Sequence, residues 1–173
     1  MTDTYLQQLI QHFGLRPLTG EGGLWAPSYR AADLLSPGAL PERYTSAHAA
    51  GGAIYFLLTA DPDSYSCMHS LPTDETYHFY LGDAVEMLLI WPDGRAEHIC
   101  LGQDVLNGQQ VQFTVPAGVW QGSRLRAGGH FALLGTTMAP AYESSDFIPG
   151  NSEALCRLCP TEKTRILQLS RYR

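Results

Sequence analysis

The segment Cys67-Met68-His69-Ser70-Leu71-Pro72-Thr73-Asp74-Glu75-Thr76-Tyr77-His78-Phe79-Tyr80-Leu81-Gly82 gathers more reactive side chains than any other stretch of the chain. It reads as two strands joined by a Pro-Thr-Asp turn. Side chains alternate along a strand, so Cys67, His69 and Leu71 share one face of the first, and Glu75, Tyr77 and Phe79 one face of the second. Pairing the strands brings the His69 imidazole and the Glu75 carboxyl to one ion or substrate. Two such groups with open positions beside them suit a divalent metal (Fe, Mn, Ni or Zn), and they equally suit general acid–base catalysis. A glutamate buried without a partner costs several kcal/mol, so Glu75 is expected to meet a metal, His69 or a bound ligand. His78 has the opposite parity and joins the ligand set only if a β-bulge reverses the strand's faces. Cys67 reads as a small buried hydrophobe before it reads as a thiolate ligand.

A second segment, Val115-Pro116-Ala117-Gly118-Val119-Trp120-Gln121-Gly122-Ser123, carries a Pro-x-Gly turn into a strand that begins at Trp120 and Gln121. The Gln121 amide suits a ligand or water better than a soft metal. The expected site therefore has Glu75 and His69 as catalytic pair. Tyr77, Phe79 and Gln121 bind substrate, with Tyr55 and Arg30 at the rim. His69, Glu75, Gln121 and His78 are the metal donors if a metal is present. Arg30 there would clamp a carboxylate or phosphate, a surface salt bridge being the plainer alternative. No Ser-His-Asp, phosphate-loop or dinucleotide fingerprint competes with this constellation.

These residues must be positioned by strands. Alternating runs divided by turns cover 53–59, 65–71, 75–81, 84–91, 96–101, 110–115, 120–125 and 130–138, with room for an edge strand over 24–29. Leu6, Leu9, Ile10 and Phe13 fall on one face of a short helix that Gly14 stops. Short helices are expected over 153–159 and 162–169, and the stretch 16–50 is rich in Pro, Gly and Ala around a Glu21-Gly22-Gly23 turn. About eight strands without intervening helices make an all-β sandwich, jelly roll or small barrel, with a ligand in its mouth. No repeat or linker divides the chain, so residues 1–173 are expected to form a single domain.

Composition narrows the function. The 173 residues carry 11 basic and 17 acidic side chains, a formal charge of −6, which argues against nucleic-acid and anionic-membrane partners. No apolar run is long enough to span a bilayer. The single lysine, Lys163, makes Schiff-base chemistry a poor expectation. Cys67, Cys100, Cys156 and Cys159 do not make a disulfide framework, and the Cys156-x-x-Cys159 pair lacks the partners of a zinc site. A reducing cytoplasm is the expected compartment.

The two segments together resemble the paired motifs of the cupin superfamily. Its first motif is His-x-His, three or four residues, Glu, six residues and Gly. Here His69, Glu75 and Gly82 take their places and Leu71 stands at the second histidine. The second motif, Pro-x-Gly and a histidine after two residues, is met by Pro116-Ala117-Gly118 with Gln121 at the histidine. Further blocks over 9–30, 53–58, 74–82, 115–121 and 138–147 are similar to the small cupin family first described as domain of unknown function 985 (cupin 5). Positions 18–20, Ala26, Pro27 and Tyr77 depart from that family's usual residues. The resemblance implies a cupin double-stranded β-helix, a jelly-roll barrel with short terminal helices, usually a homodimer. Two functions follow as expectations. The first is an enzyme acting on a small polar metabolite by acid–base or metal-assisted chemistry, of epimerase, isomerase or dehydratase type, with a metal-dependent oxygenase as a variant. The second is a metal-free small-molecule binding module, supported by Leu71 and Gln121 at histidine positions. A storage-type sandwich is weakest, because an acid inside a barrel calls for a ligand.

Overall fold

A computed structural model describes residues 2–171. In chain order it runs α1 (Thr2–Phe13), β1 (Arg16–Pro17), β2 (Leu24–Arg30), β3 (Leu34–Leu35), β4 (His48–Ala49), β5 (Gly52–Thr59), β6 (Tyr65–Ser70) and β7 (Glu75–Gly82). It continues through β8 (Val85–Ile90), β9 (Ala96–Leu101), β10 (Gln112–Val115), β11 (Trp120–Leu125), β12 (Phe131–Met138), β13 (Ile148–Pro149), α2 (Ser152–Leu158) and α3 (Lys163–Gln168). All eight expected strands are present, as is the edge strand β2. The additional β1, β3, β4 and β13 are two-residue pairings, too short to leave a periodic signal.

Two antiparallel sheets pack face to face. One has the order β1-β2-β5-β12-β7-β10 and the other β13-β6-β11-β8-β9, while β3 and β4 pair apart from both. Alternation dictates this, since Phe56, Leu58, Tyr77, Phe79, Met87, Leu89 and Leu134 all point between the sheets into one core. The remaining apolar side chains need cover on the outer faces. On the first sheet α1 supplies it, burying Leu9 against Leu57 and Leu133, and Gly14 ends the helix at φ 62°. On the second, α2 and α3 lay Leu155, Ile166 and Leu169 over Met68, Leu88 and Ile90. No described helix is long and apolar enough to cross a membrane.

Two irregularities position the site. Against β11, β6 pairs His69 with Gln121 but Ser66 with Ser123, so β6 carries one residue more than its partner. That bulge turns both Ser66 and His69 toward the side chains of Ser123 and Gln121. Against β12, β7 pairs Phe79 with Leu134 and Leu81 with Leu133, which places a second bulge at Tyr80.

Candidate functional site

Glu75 is the first residue of β7, paired with Val115 of β10 and Met138 of β12 at the end of the barrel. Its inward parity leaves the residue only 7% exposed. Gln121 Nε2 donates to Glu75 Oε2 at 2.8 Å, and the hydroxyls of Thr136 and Tyr77 also hydrogen-bond this carboxyl. Burial pushes the Glu75 pKa above the usual carboxylate range, and the charge of Glu21 adds to the rise. His69 and the hydrogen bonds from Thr136 and Gln121 pull the other way. The Tyr77 phenol is driven well up by burial and by the charges of Glu75 and Glu21.

His69 sits across the strand pair from Gln121 and is 1% exposed. Its Nδ1 lies 2.7 Å from the Cys67 carbonyl oxygen, an acceptor only, so Nδ1 carries a proton and donates there. The ring stacks on Phe147 with centroids 5.2 Å apart. On the same inward face of β11, Gln121 Oε1 and Ser123 Oγ are buried with no hydrogen-bond partner among the described residues.

Glu75 opens onto a cavity of about 320 Å³, at the small end of the ligand-pocket range. A second carboxyl, Glu21, faces the same space. Trp25, Ile54, Leu71 and Met138 give apolar walls, and the exposed Tyr29, Arg30 and Tyr142 surround the mouth. Glu21 was legible only as part of a turn, yet its loop is firmly built. Gly20, Gly22 and Gly23 have φ of 90°, 113° and 70°, and a Cβ at Gly22 would stand 2.1 Å from the Tyr65 carbonyl oxygen. Only glycine lets the chain approach β6 so closely. There Cys67 N donates to Glu21 O at 2.9 Å and Ser66 Oγ donates to Glu21 Oε1 at 2.8 Å. Three glycines around a single acid are the signal in the sequence. Tyr142, also unforeseen, is exposed at 41%, yet the partial burial of its phenol, then Glu21, Asp146 and Glu75, push its pKa up to about 12.

The other expected residues divide. Arg30 lines the cavity and is tied to Glu143 and, at 3.4 Å, to the Tyr142 carbonyl. Tyr77 and Phe79 point inward but into the core between the sheets, and Tyr77 reaches the site only through its hydroxyl. Tyr55 lies on the outer face, against Phe13 at 4.5 Å and Tyr80 at 6.2 Å, because β5 directs Ile54 and Phe56 inward instead. His78 also faces outward, bonded to Thr137 Oγ1 at 2.9 Å, since the β7 bulge comes after it and leaves its parity unchanged. The Cys67 thiol donates to the Gly20 carbonyl at 3.3 Å, and burial with the charge of Glu21 pushes its pKa up to about 12. Among the described residues no three His, Cys, Asp or Glu side chains converge as metal ligands. His69 and Glu75 plus one amide oxygen fall short of the donor sets of zinc and iron centres.

One further cluster holds the mouth in place. His48 Nε2 lies 3.1 Å from Asp146 Oδ2 and Nδ1 lies 2.9 Å from the Ser46 carbonyl, both side chains being buried. Asp146 Oδ2 also accepts from Glu143 N at 2.9 Å, which fixes the turn that carries Tyr142 and Phe147. Burial opposes the His48 charge, but the Ser46 carbonyl and Asp146 outweigh it and raise the pKa.

A family profile described as "Cupin superfamily (DUF985)" matches residues 7–148. An uncharacterized protein of Saccharomyces cerevisiae, YML079W, is 30% identical over 105 residues, 58% of this chain and 51% of that protein. The chain thus spans about half the length of that curated relative. Among solved structures, protein SO0799 from Shewanella oneidensis superposes with a TM-score of 0.83 at 30% identity, covering 96% of this chain and 98% of that one. A hypothetical protein from Leishmania major gives 0.84 at 27% identity with the same coverage. Bacillus subtilis oxalate decarboxylase gives 0.51 at 11% identity over 38% of its chain, a likeness of fold alone.

Proposed function

The chain belongs to the DUF985 family of the cupin superfamily, and on that premise we propose that it is an enzyme that moves a proton on a small metabolite held in the barrel mouth. The reaction class is epimerisation, isomerisation or dehydration. One observation carries the reading: Glu75 is a buried carboxyl that faces a cavity while its own hydrogen bonds are arranged by Gln121, Thr136 and Tyr77. A carboxyl held above its usual range is suited to give and take protons near neutral pH. His69 is the partner, its Nδ1 held by the Cys67 carbonyl and its Nε2 left for the site. Gln121 orients Glu75 in the cupin position where a histidine ligand usually stands.

The test is proton exchange. A panel of small metabolites is screened for binding by thermal shift, and each binder is incubated with the protein in D2O. Deuterium incorporated into a carbon–hydrogen position by the wild type and lost with Glu75→Gln supports catalysis. Binding without exchange in the wild type overturns it and leaves the binding-module reading, which the neutral Gln121 and Leu71 favour.

A divalent metal (Fe, Mn, Ni or Zn) has no part in this reading, because the donor set falls short. Near-stoichiometric metal in protein purified without a metal-binding tag would overturn that point. Family membership further supports a homodimer as a proposal.

A further inference from the structure

We propose that the ligand of this cavity is a small zwitterion with an apolar body, of the amino-acid type, its ammonium end inside and its carboxylate at the mouth. This rests on reading the Glu75 cavity as a ligand site, and it adds the chemical class of the occupant. The inner end offers acceptors. Glu75 and Glu21 both line the cavity, and the side-chain hydrogen bond that Glu21 accepts among the described residues, from Ser66, goes to Oε1. Gln121, which donates to Glu75 Oε2, lies behind it and does not line the cavity. Two carboxyls call for a donor-rich group, and an ammonium brings three N–H bonds with the positive charge that they lack in an apolar enclosure.

The outer end has the opposite sign. Arg30 is the only cation among the lining residues, and it stands at the mouth. Its link to Glu143 is half-exposed, so a ligand carboxylate there competes with a solvated partner at little cost. Between the ends, Leu18, Trp25, Pro27, Ile54 and Met138 form apolar walls that want a hydrocarbon side chain. Two acids against one base also disfavour a dianion in this space, because an anion placed at depth meets both carboxyls.

The experiment compares three isosteric probes by calorimetric titration of the whole protein: leucine, 3-methylbutylamine and 4-methylpentanoic acid. Leucine is expected to bind at least about tenfold more tightly than either, the scale of one charged hydrogen bond. Glu21→Gln is expected to weaken leucine and the amine about tenfold and leave the acid unchanged, and Arg30→Gln to weaken leucine and the acid but not the amine. The acid binding as tightly as leucine overturns the proposal, and so does no saturable binding of any probe. Should Glu21→Gln not fold, the affinity order on wild-type protein decides alone. Leucine binding without deuterium exchange counts against the proton-transfer reaction and leaves this proposal standing. Exchange on a ligand without an ammonium group does the reverse.

Discussion

Glu75 sits where burial and chemistry pull in different directions, and that conflict is measurable. Its pKa is raised by burial, so the folded protein holds the proton more firmly than the unfolded chain. The favourable contribution is therefore complete below the ordinary carboxyl range and is lost as pH rises through the folded value. Removing the ionisable group should make stability less dependent on pH. Glu75→Gln is expected to melt higher than wild type at pH 8, with the gap closing toward pH 4. A calorimetric series over that range checks it, and a variant melting lower at pH 8 would contradict it. The same substitution is expected to cut turnover about a hundredfold or more, the scale of losing a positioned acid–base group. Adding His69→Ala should cost little beyond the worse single change, because the two act as a unit. Strand parity and motif spacing are enough to expect Glu75, His69 and Gln121 near one another. The structure bonds Gln121 to Glu75 and pairs it with His69, but of the three only Glu75 lines the cavity. Glu21 and Tyr142 were not readable, because each enters through a loop whose docking is a tertiary event. Tyr55 was misplaced because its sense within β5 depends on a pairing that periodicity does not reveal.

At the scale of elements, the loop before β2 and the turn before β13 decide the shape of the mouth. Gly22 combines a φ of 113° with a Cβ path blocked by the Tyr65 carbonyl oxygen. Gly22→Ala is therefore expected to cost about 1–3 kcal/mol or more and to pull Glu21 off β6. Chemical denaturation measures the first effect, and loss of ligand binding beyond that caused by Glu21→Gln measures the second. The His48–Asp146 tie should respond to pH in its own way. His48 has a raised pKa, so its contribution is full below the unfolded imidazole value and fades as pH climbs through the folded one. His48→Gln is accordingly expected to lose more stability relative to wild type at pH 5.5 than at pH 9. An equal loss at both would show that the pairing is not charged when it matters. No periodic pattern marks this tie, since β3 and β4 are two residues each and His48, before β5, and Asp146, after β12, are 98 residues apart.

For the molecule as a whole, the sandwich core and its helical covers set stability. Leu134 is fully buried between the sheets, so Leu134→Ala is expected to cost about 2–5 kcal/mol, measured by denaturant unfolding. The proposed homodimer is checked by light scattering at micromolar concentration, where a monomeric mass would remove it. The fold itself was legible because strand alternation and turn residues agree along most of the chain. The edges of β6 were not. On that strand, which carries His69, Glu21 O accepts from Cys67 N, Leu169 O accepts from Met68 N at 2.7 Å, and Gly150 N donates to Met68 O at 2.8 Å. Those three partners come from before β2, after α3 and after β13. During synthesis on the ribosome, then, the strand that presents the imidazole emerges long before Gly150 and Leu169. A nascent chain stalled after β12 would hold most of the barrel yet leave β6 unlatched on one side. Gly150 and Leu169, which close this edge, are thus synthesised after β5–β12.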